Sequence, residues 1–338
     1  MEFDWPHPAA GEAVVEVLGC TLCGSDIHSY EGRRSTPVPT ILGHEILGRI
    51  VQLGDAAPVT VDGQRLSVGD RVVWGIAASC GDCYHCAHGL PQKCESLFKY
   101  GHEALAPGRE LSGGLATHCL LVGGTPIVRV PAGLPDRVAC PAGCATATVA
   151  GALRIAGEVG GRSCLVVGLG MLGLTACAML AEAGVSGVLA TDLQLGRREL
   201  AGRFGAEETF EPEADEVLER TGGRGVYVAF DFTGVPEAVA MTVDSLALGG
   251  SAVWIGSTYP ARPLELPSEQ VVRRCLTIRG LHNYHPEDLL GAVGFLDSTQ
   301  GRYPFGELVG EGFALRDAEA AFDAAAGGQA LRVPVGDI

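Results

Sequence analysis

Four cysteines, Cys80, Cys83, Cys86 and Cys94, fall within the fifteen-residue run CGDCYHCAHGLPQKC. Four thiolates from one short loop can close a tetrahedron around Zn2+ at roughly 2.3 Å each. Gly81, Gly89 and Pro91 supply the turning that such a loop needs. A thioredoxin-type redox pair places two cysteines ahead of a helix, not four around a loop. Disulfides require an oxidising compartment, and 12 cysteines in 338 residues is not the density of a small secreted scaffold. The cluster therefore reads as a structural Zn(Cys)4 site, with His85 and His88 left to solvent.

A second, dispersed set lies in CTLCGSDIH, GHE and CPAGC. A catalytic zinc keeps three protein ligands and one open position, and Cys23, His44 and Cys144 are the expected three. Two thiolates and a neutral imidazole cancel the charge of Zn2+ and leave a Lewis acid able to take an alcohol oxygen. Asp26 is expected to hold the other nitrogen of the His44 ring, and Glu45 to act as an outer or transient ligand. Cys20 and Cys140 read as packing residues, Cys140 being the fallback third ligand.

A third constellation is Gly168, Gly170 and Gly173 in GLGMLG. It follows an apolar strand, opens a helix, and is followed nineteen residues later by Asp192. That context is the dinucleotide fingerprint: a tight turn, close approach of backbone to pyrophosphate, and close helix–strand packing. The free N–H groups of the first helical turn, at Met171 and Leu172, would face the phosphates. Asp192 would bind the adenosine ribose and repel a 2′-phosphate, which favours NAD over NADP, with Arg197 near the ribose edge. Thr148, in CATATVAG, is a further candidate for cofactor contact.

These residues need scaffolds of two kinds. Residues 1–138 carry short β-rich runs (EAVVEVLGC, ILGRIVQLG, DRVVWGIAA) broken by Gly, Pro and Asp, which predicts a compact β domain. Residues 139–295 alternate strands and helices, which predicts a parallel doubly wound sheet. Residues 296–338 read as strand, helix, strand, returning to the first domain. The class is α/β, with SAVWIGS taken as an edge strand that could pair across a two-fold axis.

Composition narrows the function. A net charge of −16 argues against nucleic acid and against anionic membrane surfaces. No apolar run approaches a membrane span free of glycine or charge, and the first residues carry no basic or apolar signal region, so a cytoplasmic location is expected.

Taken together, CGSDIH, GHE, the cysteine loop, CPAGC, GLGMLG and Asp192 resemble, in order and separation, the zinc-dependent medium-chain alcohol dehydrogenases over nearly the whole chain. CTLCGSDIH, GLPQKCESLFKYGHE and CATATVAGALR are similar to alcohol dehydrogenases associated with phosphonate catabolism and to cyclitol dehydrogenases. The resemblance implies a GroES-like catalytic domain (1–138 and 296–338) around a Rossmann domain (139–295), with two zinc ions per chain and NAD. It implies a proton relay through Ser25 and His28, and a homo-oligomer, dimer or tetramer. About one further β-hairpin would precede the match, whereas about ten residues do so here. The implied reaction is reversible oxidation of a polar secondary alcohol, a hydroxyalkylphosphonate, cyclitol or polyol. The alternatives are a carbonyl reductase and a non-catalytic NAD- and zinc-binding protein. By the family's layout Arg33 and Arg34 line the substrate cleft, Lys99 and His102 could face it, and HNY (282–284) borders the nicotinamide.

Overall fold

Short runs of β-branched residues cut by glycine and aspartate make short strands, and the first part of the chain is built from them. The structure, a computed structural model, describes residues 1–328 and 330–338. In chain order, β1 (Ala13–Leu22) leads into α1 (Gly24–Tyr30), β2 (Glu45–Leu53), β3 (Arg71–Trp74) and the two-residue β4 (Ala77–Ala78). The helix α2 (Tyr84–Ala87) lies in the cysteine loop, before β5 (Phe98–Lys99), β6 (His118–Leu121) and β7 (Ile127–Arg129). Then come α3 (Asp136–Ala139), a 3-10 turn over Cys140–Gly143, and α4 (Ala145–Ala156).

The second layer system is β8 (Ser163–Val167), α5 (Met171–Glu182), β9 (Gly187–Thr191), α6 (Leu195–Arg203), β10 (Glu208–Phe210) and α7 (Ala214–Arg220). It continues through β11 (Val226–Asp231), α8 (Pro236–Asp244), β12 (Leu246–Trp254), α9 (Ser268–Arg273) and β13 (Thr277–Gly280). The chain ends with α10 (Pro286–Ser298), α11 (Ala318–Ala326) and β14 (Val333–Gly336).

Two compact units result, one of residues 1–147 with 283–338, the other of residues 148–282. The sequence reading puts the changes at 138/139 and 295/296. They shift because the 3-10 turn Cys140–Gly143 packs on β2, and α10 packs on that turn, so both belong to the first unit. In that unit the antiparallel order is β14-β1-β2-β3-β7, with β6 also on β1. β1 and β2 are buried along most of their length, only Glu16 and Arg49 being exposed in them, so they read as mostly apolar runs rather than strictly alternating ones. Their core includes Val14, Ile46, Ile50 and Trp74, with the Trp74 and Tyr100 rings edge-to-face at 6.1 Å.

The second unit is a wholly parallel sheet in the order β10-β9-β8-β11-β12-β13. This is the doubly wound arrangement expected from the alternating pattern. Its order reverses between β8 and β11, beside the GLGMLG turn, which is where such sheets bind ligands.

Two expectations are corrected. SAVWIGS lies in and just beyond β12, between β11 and β13, so it is not an edge strand; β13 and β10 are the edges. Its apolar residues cover both faces of an internal strand. The tail begins with a 3-10 turn over Phe305–Leu308 and isolated bridges at Val309 and Phe313, not with a strand. Gly310 and Gly312 interrupt any longer pairing there. β14 then pairs antiparallel with β1, Cys20 opposite Val335.

Candidate active site

Cys23 ends the run from β1 and caps α1 in an extended conformation. His44 stands just before β2, after Gly43, whose φ of 91° suits glycine. Cys144 follows the Cys140–Gly143 turn. Three separate elements thus deliver one sulfur, one ring nitrogen and one sulfur, all within 4.8 Å of one another.

Asp26 fixes this geometry. One carboxylate oxygen accepts from the His44 ring (Nδ1, 3.0 Å) and from Gly43 N–H (3.1 Å). The other accepts from Cys23 N–H at 3.0 Å. With Nδ1–H given to Asp26, the Nε2 lone pair of His44 is free for a metal. Burial lowers the His44 pKa, but Asp26 and Cys23 reverse that and carry it to about 10. The Cys23 thiol is held well below its ordinary range by a hydrogen bond from Cys144, helped by Arg332, while Cys144 is pushed well above it. With two thiols this close one ionises at the expense of the other, and a divalent cation would take the place of the remaining thiol proton and of any proton on His44 Nε2.

Cys140 is not part of this set. It is fully buried, donates to the carbonyls of Gly19 (3.4 Å) and Glu45 (3.3 Å), and burial pushes its thiol up to about 12. Glu45 is tied into a pair that spacing does not reveal. Its carboxylate accepts from Arg332 Nε at 2.7 Å and Nη2 at 2.9 Å, and from Thr21 Oγ1 at 2.6 Å. Both partners are buried, so removing either one alone would cost about 3–5 kcal/mol. Tyr284, read in the sequence as part of HNY beside the nicotinamide, has a contact that reading did not foresee. Its hydroxyl donates to Gly143 O and accepts from Ile76 N–H at 3.3 Å, pinning the turn that presents Cys144. A tyrosine four residues beyond a strand carries no local signal of such a task.

Ser25 and His28 lie one turn apart on α1 and so share a face. Ser25 Oγ stands 3.4 Å from His44 Nε2 and 3.7 Å from Cys23 Sγ. Burial, then the Arg33 charge, lower the pKa of His28, so it is neutral at pH 7 and able to take a proton. Arg34 Nη1 meets His102 Nε2 at 2.9 Å, and the His102 ring lies 5.2 Å from that of His44. Arg33 is not part of that group; it is exposed and paired with Glu31.

The other four cysteines also converge. Cys83 caps α2, Cys86 lies within it, and Gly81 and Gly89 take positive φ. The four sulfurs lie within 4.8 Å of one another, Cys94 at 3.4 Å from Cys80 and 3.9 Å from Cys83. Burial opposes ionisation of Cys94, yet the Cys80 N–H and Ser96 bring it to about 6, while burial and Cys83 push Cys86 up to about 12. Sulfurs this close cannot all ionise without a cation, so the donor set suits zinc.

In the second unit, Gly168 takes φ 92° between β8 and α5. A Cβ at Gly173 would lie 1.8 Å from Gly168 O, whereas one at Gly170 would meet nothing within 4 Å. Gly170 therefore opens onto free space above the N–H groups of Met171 and Leu172, which suits a pyrophosphate. Asp192 accepts from Leu169 N–H and Gln194 N–H, each at 2.8 Å, with Arg197 at 3.6 Å. Thr148 lies in α4 and is partly exposed.

Residues 9–132 match the alcohol dehydrogenase GroES-like domain and residues 172–298 the zinc-binding dehydrogenase family. The L-threonine 3-dehydrogenase of Pyrococcus horikoshii is 30% identical over 296 residues, 84% of this chain and 79% of that protein. The chain belongs to the zinc-dependent medium-chain alcohol dehydrogenase superfamily. The 5-exo-hydroxycamphor dehydrogenase of Pseudomonas putida is 30% identical over 346 residues, covering 98% of this chain and 92% of the relative. An alcohol dehydrogenase structure from Thermotoga maritima superposes with a TM-score of 0.93 at 25% identity, over 99% of this chain and 94% of that one. This member of the superfamily is an oxidoreductase acting on alcohols with zinc and an NAD(P) cofactor. Among the described residues, no single helix is long and apolar enough to cross a membrane.

Proposed function

We propose that the enzyme catalyses reversible NAD+-linked oxidation of a small, polar secondary alcohol, of the hydroxyalkylphosphonate, cyclitol or polyol kind. The observation that supports it is the trio Cys23, His44 and Cys144, with the free face of the imidazole set by Asp26. In this reading those three hold the catalytic zinc, and Cys80, Cys83, Cys86 and Cys94 hold the structural one. Bound zinc supplies a Lewis acid and bound NAD+ the hydride acceptor. The chain's own residues do the rest. Asp26 keeps the proton on His44 Nδ1, so Nε2 stays a donor of electrons. Ser25, beside Cys23 and His44, takes the alcohol proton as it passes its own on toward neutral His28, which exchanges it with water. Arg332 and Thr21 hold Glu45 in place, and Tyr284 steadies the Cys144 turn.

NAD is favoured over NADP by Asp192, whose carboxylate would repel a 2′-phosphate. Arg198 does not offset it, because its guanidinium is bound to the carbonyls of Asp192 and Leu193 and to Glu211. The catalytic unit of this proposal takes in the N-terminal β-rich part and the C-terminal return. A cytoplasmic homo-oligomer is the assembly we associate with it.

The test is Cys23→Ala. It should lose NADH production by at least about 1000-fold, lower the bound zinc from two ions per chain to one, and leave NADH binding intact. Full turnover in that variant would refute the assignment.

A further inference from the structure

Arg34 and Lys99 are cations without an acidic partner, set beside the trio of Cys23, His44 and Cys144. Among the described residues neither has a carboxylate within ion-pair distance: Glu31 is taken by Arg33, and the Glu103 carboxylate accepts from the backbone N–H of Lys99 at 2.7 Å. Both side chains are partly buried. They also feel each other, since burial and then the charge of Arg34 bring Lys99 down to about 8. Two half-buried like charges without a counter-ion destabilise a fold unless something else gains from them.

His102 shows how Arg34 is aimed. The ring is buried, and its two neighbours, a carbonyl on one nitrogen and a guanidinium on the other, fix which nitrogen carries the hydrogen. Its Nδ1 faces the carbonyl of Tyr100 at 2.9 Å and must donate there. Its Nε2 is therefore an acceptor, and Arg34 Nη1 donates to it at 2.9 Å. Both ring nitrogens are committed, so His102 cannot itself hold a substrate anion. It positions Arg34, whose other N–H groups stay available for bidentate binding. The His102 ring lies 5.2 Å from the His44 ring and its backbone N–H donates to the Lys99 carbonyl at 3.1 Å, so Arg34 and Lys99 both come in beside the ligand trio through His102.

We propose that the alcohol carries an oxyanion, a phosphonate, phosphate monoester or carboxylate, close to its hydroxyl, and that Arg34 and Lys99 bind it with His102 holding Arg34 in register. This rests on the dehydrogenase reading above for the position of the hydroxyl. At pH 7 Lys99 is charged and the pair presents two positive charges to the substrate.

The experiment is calorimetric titration of the zinc-loaded, NAD+-bound protein at pH 7 with three unreactive probes: ethylphosphonate, propanoate and neutral propanamide. At least one oxyanion should bind ten-fold or more tightly than propanamide; which one does separates a phosphonate or phosphate from a carboxylate. Arg34→Gln and Lys99→Gln should each weaken that binding ten-fold or more. His102→Ala should weaken it also, and His102→Gln, which keeps an acceptor, should restore part of it. Unchanged oxyanion binding in Arg34→Gln and Lys99→Gln, or equal binding of all three probes to the wild type, overturns the subsite. If oxyanions bind as expected but no alcohol reduces NAD+, the dehydrogenase assignment fails while the anion site stands.

Discussion

At the residue scale the decisive side chain is Asp26, which makes three hydrogen bonds and touches two of the three ligands, Cys23 and His44. It accepts from Cys23 N–H, Gly43 N–H and His44 Nδ1 while fully buried. Such carboxylate–histidine pairs raise the basicity of the ligand and hold one tautomer, and losing them costs about 10–100-fold in metal affinity. Asp26→Asn should therefore lower zinc affinity at the catalytic site by that order while the Cys80–Cys94 cluster keeps its ion. Competition against a chelator, with two stoichiometric phases resolved, checks this; a single unchanged affinity would count against it. The Glu45–Arg332 pair belongs to the same scale. After the hydrogen bond from Cys144, its guanidinium charge also favours the Cys23 thiolate, so a residue near the C-terminus contributes to the ionisation of a ligand near the N-terminus.

At the element scale the strand–turn–helix from β8 to α5 divides its glycines by task. Gly173 has no room for a side chain, because a Cβ there would collide with Gly168 O at 1.8 Å. Gly170 has room on its open side. Gly173→Ala should consequently force α5 off β8 and lower the melting temperature. Gly170→Ala should leave melting unchanged and weaken NADH binding about ten-fold by blocking the space above the turn. Paired thermal melts and NADH fluorescence titrations read both effects, and equal behaviour of the two variants would contradict the division. The element scale also explains why some secondary structure could be read in advance. β8, β9, β11 and α5 are apolar runs with a glycine at or near an end, so local pattern suffices. β10, α7, α8 and α9 are short or polar, and their place is set by packing against neighbours.

At the scale of the whole molecule the two kinds of site are carried by different parts of the chain. The cysteine cluster and the ligand trio belong to residues 1–147 with 283–338, and the glycine turn with Asp192 to residues 148–282. Metal loss should therefore act on the first unit. Cys83→Ser, or removal of zinc by a chelator, should lower the thermal midpoint through a loosened loop between Cys80 and Cys94 while NADH binding survives. Differential scanning calorimetry and NADH titration on the same sample would decide, loss of both together being the adverse result.

The motifs themselves were legible in the sequence. Cysteines at spacings of three and eight residues, three glycines after an apolar strand, and an acid nineteen residues on are local patterns, and local chain stiffness turns them into a loop and a turn almost without help. Sequence also offered Cys140 beside Cys144, with no way to separate them except by motif. Folding separates them, because the 3-10 turn aims Cys140 into the core and Cys144 toward Cys23 and His44. The same holds for Arg332 on Glu45, Tyr284 on Gly143, and Arg34 on His102, which are 287, 141 and 68 residues apart in the chain. A hydrogen bond or a shared cation depends on distances of a few ångströms, and residues so far apart acquire those distances only when the sheets close around them.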